Sequence, residues 1–128
     1  MQVVTKKTTR EIICVAFSEG KKHDFQLFKD SRLPLQPTTF VTTDTGYIGL
    51  AKLHANCLMP KKKSKHHPLS KSDKRHNREI SIFRVSAEHV FSRLKRFEIL
   101  GGVYRGCLKR FELRFKLIAG IYNYELRN

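Results

Sequence analysis

Residues 108–122 carry apolar side chains in two helical registers, and that double pattern limits how the chain can fold. Leu108, Phe111, Phe115, Ile118, Ala119 and Tyr122 recur at three- and four-residue steps, the spacing of one face of an α-helix. Leu113, Leu117 and Ile121 make the opposite side apolar as well. A helix apolar on two sides is expected to be packed on two sides. A second helix is expected before it, with Phe83, Ala87, Val90, Phe91, Leu94 and Phe97 in one stripe and Gly101-Gly102 as the break.

The amino-terminal half alternates elements instead. Ile12 to Phe17 is a short β-branched apolar run ended by Ser18-Glu19-Gly20, the pattern of a buried strand. Gln2 to Val4 reads as a partner strand across a turn at Lys6 to Arg10. A short helix is expected from Asp24 as its N-cap, with Phe25, Leu27 and Phe28 apolar, before a loop bracketed by Pro34 and Pro37. Thr38 to Thr43 is β-rich, Ile48 to Ala55 has helical spacing, and Asn56 to Met59 reads as a brief strand stopped by Pro60. The order strand, strand, helix, strand, helix, strand is an α/β pattern.

Charge bounds the partners. Lys and Arg number 26 against 11 Asp and Glu, a formal net charge of +15, and such self-repulsion points to a polyanion. Nucleic acid and an anionic membrane both fit that charge. No apolar run approaches the roughly 18 residues of a membrane-spanning helix, so a transmembrane protein is excluded, and DNA rather than a membrane is the expected partner. The start has no signal-peptide layout. Three widely spaced cysteines fit a reducing cytoplasm better than a disulfide scaffold. Between Lys61 and Arg78, eight Lys or Arg and three His face a single acid, Asp73, and this basic loop or helix entrance is expected to contact phosphates, the alternative being a merely solvated charge run. His66, His67 and His76 lack zinc-ligand spacing. No nucleophile–base set can be built around His54, Cys57 or Cys107. Tyr104-Arg105 and Arg110-Phe111 pair a ring with a cation in the manner of base-stacking sites, although at helical spacing such rings more often serve a core.

Two acids stand out by position. Asp44 follows a strand and opens the turn Thr45-Gly46-Tyr47, beyond the carboxyl end of a strand where α/β ligands gather. A turn Asp capping the next helix explains it equally well. Glu88 falls at the edge of the first apolar stripe, near Arg84 and Lys95. That placement suits a cleft-facing carboxylate and also an ordinary surface Glu–Arg pair. The residues alone leave both open.

The ordered set His23-Asp24-Phe25, Thr43-Asp44-Thr45-Gly46-Tyr47, Asn77-Arg78, Ser81, Arg84, Glu88-His89-Val90-Phe91, Arg93-Leu94-Lys95 and Phe97 resembles the DDE transposases of bacterial insertion sequences, in the branch related to Harbinger elements. The likeness runs from about Ile12 to Asn123. It implies an α/β, ribonuclease-H-like fold, with the whole of 1–128 forming the carboxy-terminal part of the endonuclease domain (61–78 a basic loop, 79–128 helices). It implies that Asp44 and Glu88 are the second and third catalytic carboxylates, holding Mg²⁺ or Mn²⁺ for DNA cleavage and strand transfer in transposition and recombination. Lys61, Lys62, Lys63, Lys65, Arg75, Asn77, Arg78, Arg84 and Lys95 would hold the DNA backbone, and His23 and Asp24 would support the site. The protein would work in the bacterial cytoplasm, at the nucleoid.

One departure matters. The family's first Asp lies on a central opening strand that has no counterpart after Met1, and Gln2 to Val4 matches the end of the second strand. Two strand edges are then expected to lack partners, and the metal site to be one ligand short. The chain is therefore expected to be inactive alone, either as one frame of a split element or as a decayed remnant, and its expected protein partner is the upstream half of the transposase or a second copy in a homo-oligomer. The alternative is a non-catalytic basic DNA-binding protein that interferes with a full-length transposase. A generic basic protein, such as a ribosomal component, explains the charge but not the ordered acids.

Overall fold

The computed structural model describes residues 1–18, 20–102 and 108–128, without the side chains of 108 and 109. Tyr104, Arg105, Cys107 and the Leu108 side chain, singled out above, lie outside the described residues. The chain divides into two compact units, one formed by Met1–Lys22 with Ser86–Asn128 and the other by His23–Val85.

In the first unit, strands β1 (Gln2–Thr5) and β2 (Ile12–Ala16) pair antiparallel, Gln2 opposite Ala16 and Val4 opposite Cys14, with a register slip between Val4 and Thr5. Their turn is closed by the Lys6 N–H donating to the Glu11 carbonyl and the Arg10 N–H to the Lys6 carbonyl, each at 2.8 Å. The long helix α5 (Leu108–Arg127) packs on β2. Ile12, Phe111, Phe115, Ile118, Ala119 and Tyr122 form the core with Val90 and Leu94. Those two come from the last turns of helix α3, which runs over Lys71–Leu94. Phe111 lies 4.5 Å, centroid to centroid, from Phe17 and 6.3 Å from Phe115. Burying each such side chain contributes about 1.5–3 kcal/mol. The short helix α4 (Glu98–Gly101) adds Ile99 and Leu100 to the same cluster.

A polar clamp fixes the hairpin to α5. The Asn123 side chain accepts from the Ile12 N–H at 2.8 Å and donates to the Ile12 carbonyl at 2.9 Å. The Tyr122 hydroxyl donates to the Arg10 carbonyl at 3.3 Å, and the Arg127 guanidinium meets the Glu11 carboxylate at 2.7 Å. Replacing Asn123 by Ala strands a part-buried donor and acceptor together. The expected loss is about 1–3 kcal/mol, read as a lower urea midpoint with an unchanged slope.

In the second unit, α1 (Asp24–Asp30) buries Leu27, and α2 (Leu50–Leu53) buries Leu50. Strands β3 (Val41–Thr42) and β4 (Cys57–Leu58) pair in parallel. Among the described residues the four strands form two separate two-stranded sheets. The architecture is a mixed α/β one of small sheets and helices.

Several elements differ from expectation. His23, not Asp24, caps α1: its backbone is extended and its imidazole Nδ1 accepts from the Phe25 N–H at 3.4 Å, while Asp24 is already helical. The β-rich 38–43 stretch yields only a two-residue strand, because Thr39 is turned back by its N–H bond to the Gln36 carbonyl and β4 offers only two partners. The 48–55 helix shrinks to α2, since His54 leaves helical geometry at φ −137°.

Helix α3 begins at Lys71, so the basic loop ends at Ser70 and residues 71–78 are helical. The reason is a capping box. The Ser70 hydroxyl accepts from the Asp73 N–H and the Asp73 carboxylate from the Ser70 N–H, each at 3.1 Å. On the stripe of α3, Val90 and Leu94 are buried whereas Phe83 is exposed, as is Phe97 beyond the helix end. The expectation that α5 is packed on two sides also fails: Leu113, Leu117 and Ile121 are exposed.

Candidate metal and DNA site

The parallel pair β3–β4 carries the chain to Asp44, and the Thr43 N–H extends the pairing by donating to the Leu58 carbonyl at 3.0 Å. Asp44 then caps a 3-10 turn over Thr45–Tyr47, its Oδ1 accepting from the Gly46 N–H at 2.8 Å. One carboxylate oxygen is thereby fixed by the backbone just past a strand end. The other, Oδ2, faces the Arg84 guanidinium at 3.5 Å, and the Asp44 side chain is 54% exposed. An exposed pair at that distance is worth little. Arg84 therefore neutralises the acid at rest without locking it.

Asp24 comes to the same turn from the start of α1. A Cβ on residue 46 would lie 3.0 Å from Asp24 Oδ2, a tight contact, and 3.6 Å from Asp44 Oδ1, an ordinary one, so both carboxylates flank Gly46. Gly49 is constrained likewise, since a side chain there would overlap the Phe25 ring. The Tyr47 hydroxyl is pushed up to about 12, first by burial and then by the charges of Asp24 and Asp44. It stays protonated, and its ring meets Phe28 edge-on at 6.3 Å. His23 acts as the N-cap of α1.

Glu88 belongs to the other unit and is exposed on α3. Lys95, just beyond that helix, is exposed too. A cavity of about 350 Å³ in that unit is lined by Arg93, Arg96, Phe97, Tyr122 and Glu125, and it contains none of the predicted carboxylates.

In the basic segment, Lys62, Lys63, Lys65, Arg75 and Arg78 are exposed. Lys61 and Asn77 are tied to each other. The Asn77 amide accepts from the Lys61 N–H at 2.8 Å and donates to the Lys61 carbonyl at 2.9 Å, and the Lys61 ammonium meets Asp73 at 2.6 Å. These contacts pin the loop to α3.

The same contacts make the helix start sensitive to acid. The Lys61 ammonium, then the Ser70 backbone and hydroxyl, hold Asp73 down at about 2. The folded value lies below the ordinary carboxylate value, so the contribution is complete above pH 4 or so. It is lost as pH falls toward 2. Amide exchange in the first turn of α3 is expected to accelerate over that window, and Asp73→Asn to remove the pH dependence.

The spacing of residues did not reveal the approach of Asp24 to Gly46 or the Asn77 clamp. A glycine two places after an acid was the visible signal for the first. The second carries no short-range signature.

A family model described as DDE superfamily endonuclease matches residues 1–123. The chain belongs to the DDE superfamily endonucleases. A probable transposase for insertion sequence element IS702 from Microchaete diplosiphon is 46% identical over 125 residues, covering 98% of this DDE chain. The chain spans 45% of that relative's length. The resemblance to DDE-type insertion-sequence transposases thus holds over nearly all of the sequence. No solved structure matches it significantly.

Asp24 and Asp44 offer hard oxygen donors, the kind Mg²⁺ and Mn²⁺ take. Among the described residues, no three His, Cys, Asp or Glu side chains gather closely enough to hold an ion. The donor chemistry fits a divalent metal, and the donor number calls for another ligand. No helix of the described residues is long and apolar enough to cross a membrane.

Proposed function

We propose that this DDE chain contributes Asp44 and Glu88 to a divalent-metal site that cuts and joins DNA phosphodiesters in transposition, and a basic surface that holds the DNA. The observation that carries this reading is Asp44 past the end of β3, with one oxygen fixed by Gly46 and Asp24 beside it, in a chain matched along 1–123 to DDE endonucleases. A Mg²⁺ or Mn²⁺ ion bound there supplies activation of the attacking hydroxyl and charge stabilisation at the leaving oxygen. The chain's own residues do the rest. The Gly46 N–H orients Asp44, and Asp44 Oδ2, held only by an exposed 3.5 Å contact to Arg84, would be the oxygen offered to a divalent cation. Lys62, Lys63, Lys65, Arg75 and Arg78 bind phosphates without reading bases.

A ribonuclease-H-like fold suits the strands, because such a sheet has an antiparallel pair and a parallel pair on either side of its first strand. Asp44 and Glu88 would be two of the three family carboxylates, so cleavage is expected to need the third. The test is complementation with the remainder of a full-length insertion-sequence relative. Mn²⁺-dependent nicking of element-end DNA is expected in the mixture and in neither part alone. The 128-residue chain alone is expected to bind duplex DNA with an affinity that falls with salt. Lys62→Gln, Lys63→Gln and Lys65→Gln together are expected to reduce the log–log salt slope by about 2–3, near 0.9 per lost phosphate contact. DNA binding with no nicking under any complementation would leave the non-catalytic, regulatory reading standing.

A further inference from the structure

The cavity of about 350 Å³ in the first unit plays no part in the reading above. Arg93 reaches it from the last turn of α3, and Arg96 and Phe97 from the turn that follows. Backbone bonds set that turn: the Arg96 N–H donates to the Arg93 carbonyl at 3.2 Å and the Phe97 N–H to the Leu94 carbonyl at 3.1 Å. Tyr122 and Glu125 come from α5, three residues apart and so on one side of that helix. Small-molecule sites span about 300–1,000 Å³. This one admits a single nucleotide and no duplex.

Two cations, a carboxylate and two rings line the cavity, and the charges do not neutralise one another. Among the described residues the side chains of Arg93, Arg96 and Glu125 form no ion pair. Opposite charges held apart around one space suit a ligand that carries an anion at one end and N–H donors at the other. Phe97 is 37% exposed and meets no other ring among the described residues, so its flat face is available. Tyr122 is a fixed wall, buried and tied by its hydroxyl to the Arg10 carbonyl.

A nucleotide supplies all three partners: a phosphate for the guanidiniums, a flat base for the ring and a polar base edge for the acid. A carboxylate accepts hydrogen bonds on two oxygens and donates none. Guanine alone offers it two adjacent donors, N1–H and N2–H₂. Adenine and cytosine place a ring-nitrogen acceptor beside their amine, and thymine places a carbonyl on each side of N3–H, so the second carboxylate oxygen would meet a lone pair. In a duplex this edge of guanine is occupied by cytosine, so only an unpaired guanine presents it.

We infer that this cavity is a guanine-nucleotide site, with Arg93 and Arg96 on the phosphate, Phe97 under the base and Glu125 accepting from N1–H and N2–H₂. An unpaired guanine in a DNA strand and a free guanine nucleotide offer the same groups, and only the choice of the strand rests on the proposed action on DNA.

Proton NMR titration of the 128-residue chain without metal, following the ring signals of Phe97 and Tyr122, tests this. Guanosine 5′-monophosphate is expected to shift both. The adenosine, cytidine and thymidine monophosphates are expected to bind at least about tenfold more weakly, the effect of losing a hydrogen bond to a charged group. Phe97→Ala, read on Tyr122, is expected to weaken guanosine monophosphate about fivefold or more. Glu125→Gln decides the assignment. A carboxamide offers one acceptor and one donor, the complement of the adenine edge, so the variant is expected to prefer adenosine monophosphate, whereas a merely structural role would move both affinities together. A short thymidine strand with one central guanine, compared with the same strand carrying adenine, separates the sources. A preference for the guanine strand assigns the site to unpaired DNA, and equal binding of the two strands beside a guanosine monophosphate preference assigns it to a free nucleotide. Guanosine and adenosine monophosphates binding alike to the parent overturn the inference, as does a Glu125→Gln variant with the parent's preference. No metal or cleavage enters these measurements, so failure of nicking under complementation and loss of base preference are separate results.

Discussion

Asp44→Asn is expected to abolish Mn²⁺-dependent DNA cleavage by the complemented site, by a factor on the order of 10³ or more, while DNA affinity is retained. The substitution keeps the shape of the residue and its side-chain oxygen, so the Gly46 N–H bond and the turn survive. What goes is the negative charge that holds a divalent cation. Metal activation of a phosphodiester is worth several kcal/mol, and each 1.4 kcal/mol is a factor of ten in rate. DNA affinity, set by the basic loop, should hold or rise slightly as an acid near the phosphates is removed. Cleavage assays with Mn²⁺, paired with filter binding at one salt concentration, separate the two. Unchanged cleavage in Asp44→Asn would remove Asp44 from the metal site. A parallel loss of DNA binding would show that the residue serves the fold instead.

Phe115→Ala is expected to be the most damaging single change to stability, costing about 3–5 kcal/mol. Phe115 is fully buried, the largest of the fully buried side chains, and it lies 6.3 Å from Phe111 within the cluster that also holds Val90, Leu94 and Ile118. Truncation loses the transfer energy of the ring and leaves a cavity that its neighbours only partly fill. Against a typical total of about 5–15 kcal/mol, much of the folded population is at risk. Urea unfolding followed by near-ultraviolet circular dichroism measures it. Leu117→Ala, two residues away on the exposed side, is the control and is expected to lie within about 0.5 kcal/mol of the parent.

Those paired substitutions show how far periodicity reaches. The spacing of Phe111, Phe115, Ile118 and Tyr122 was enough to place α5 and its buried side. The pattern of Leu113, Leu117 and Ile121 looked equally buried and is not, since periodicity reports that a face is apolar and not whether anything covers it. Gln2 to Val4 and Ile12 to Phe17 were legible as strands because their turn and partner lie nearby in the chain. The extents of β3, α2 and α3 were not. Their ends are set by single hydrogen bonds, the Thr39 turn, the His54 exit and the Ser70–Asp73 box, whose strength depends on geometry.

The candidate site divides in the same way. Asp44 was legible because an acid, a small residue and a glycine after a strand are local facts. Its neighbours depended on contacts between residues far apart in sequence, such as Asp24 with Gly46, Arg84 with Asp44 and Asn77 with Lys61. The amino-acid sequence by itself determined the α/β order, the basic segment, the apolar faces and the acids in their motifs. Each of these follows from side-chain chemistry at short spacing. Only the tertiary structure decided which acid stands beside Asp44, which cations are tied to protein and which face of α5 is left bare. Those outcomes come from packing and hydrogen bonding between residues that the chain must fold to bring together.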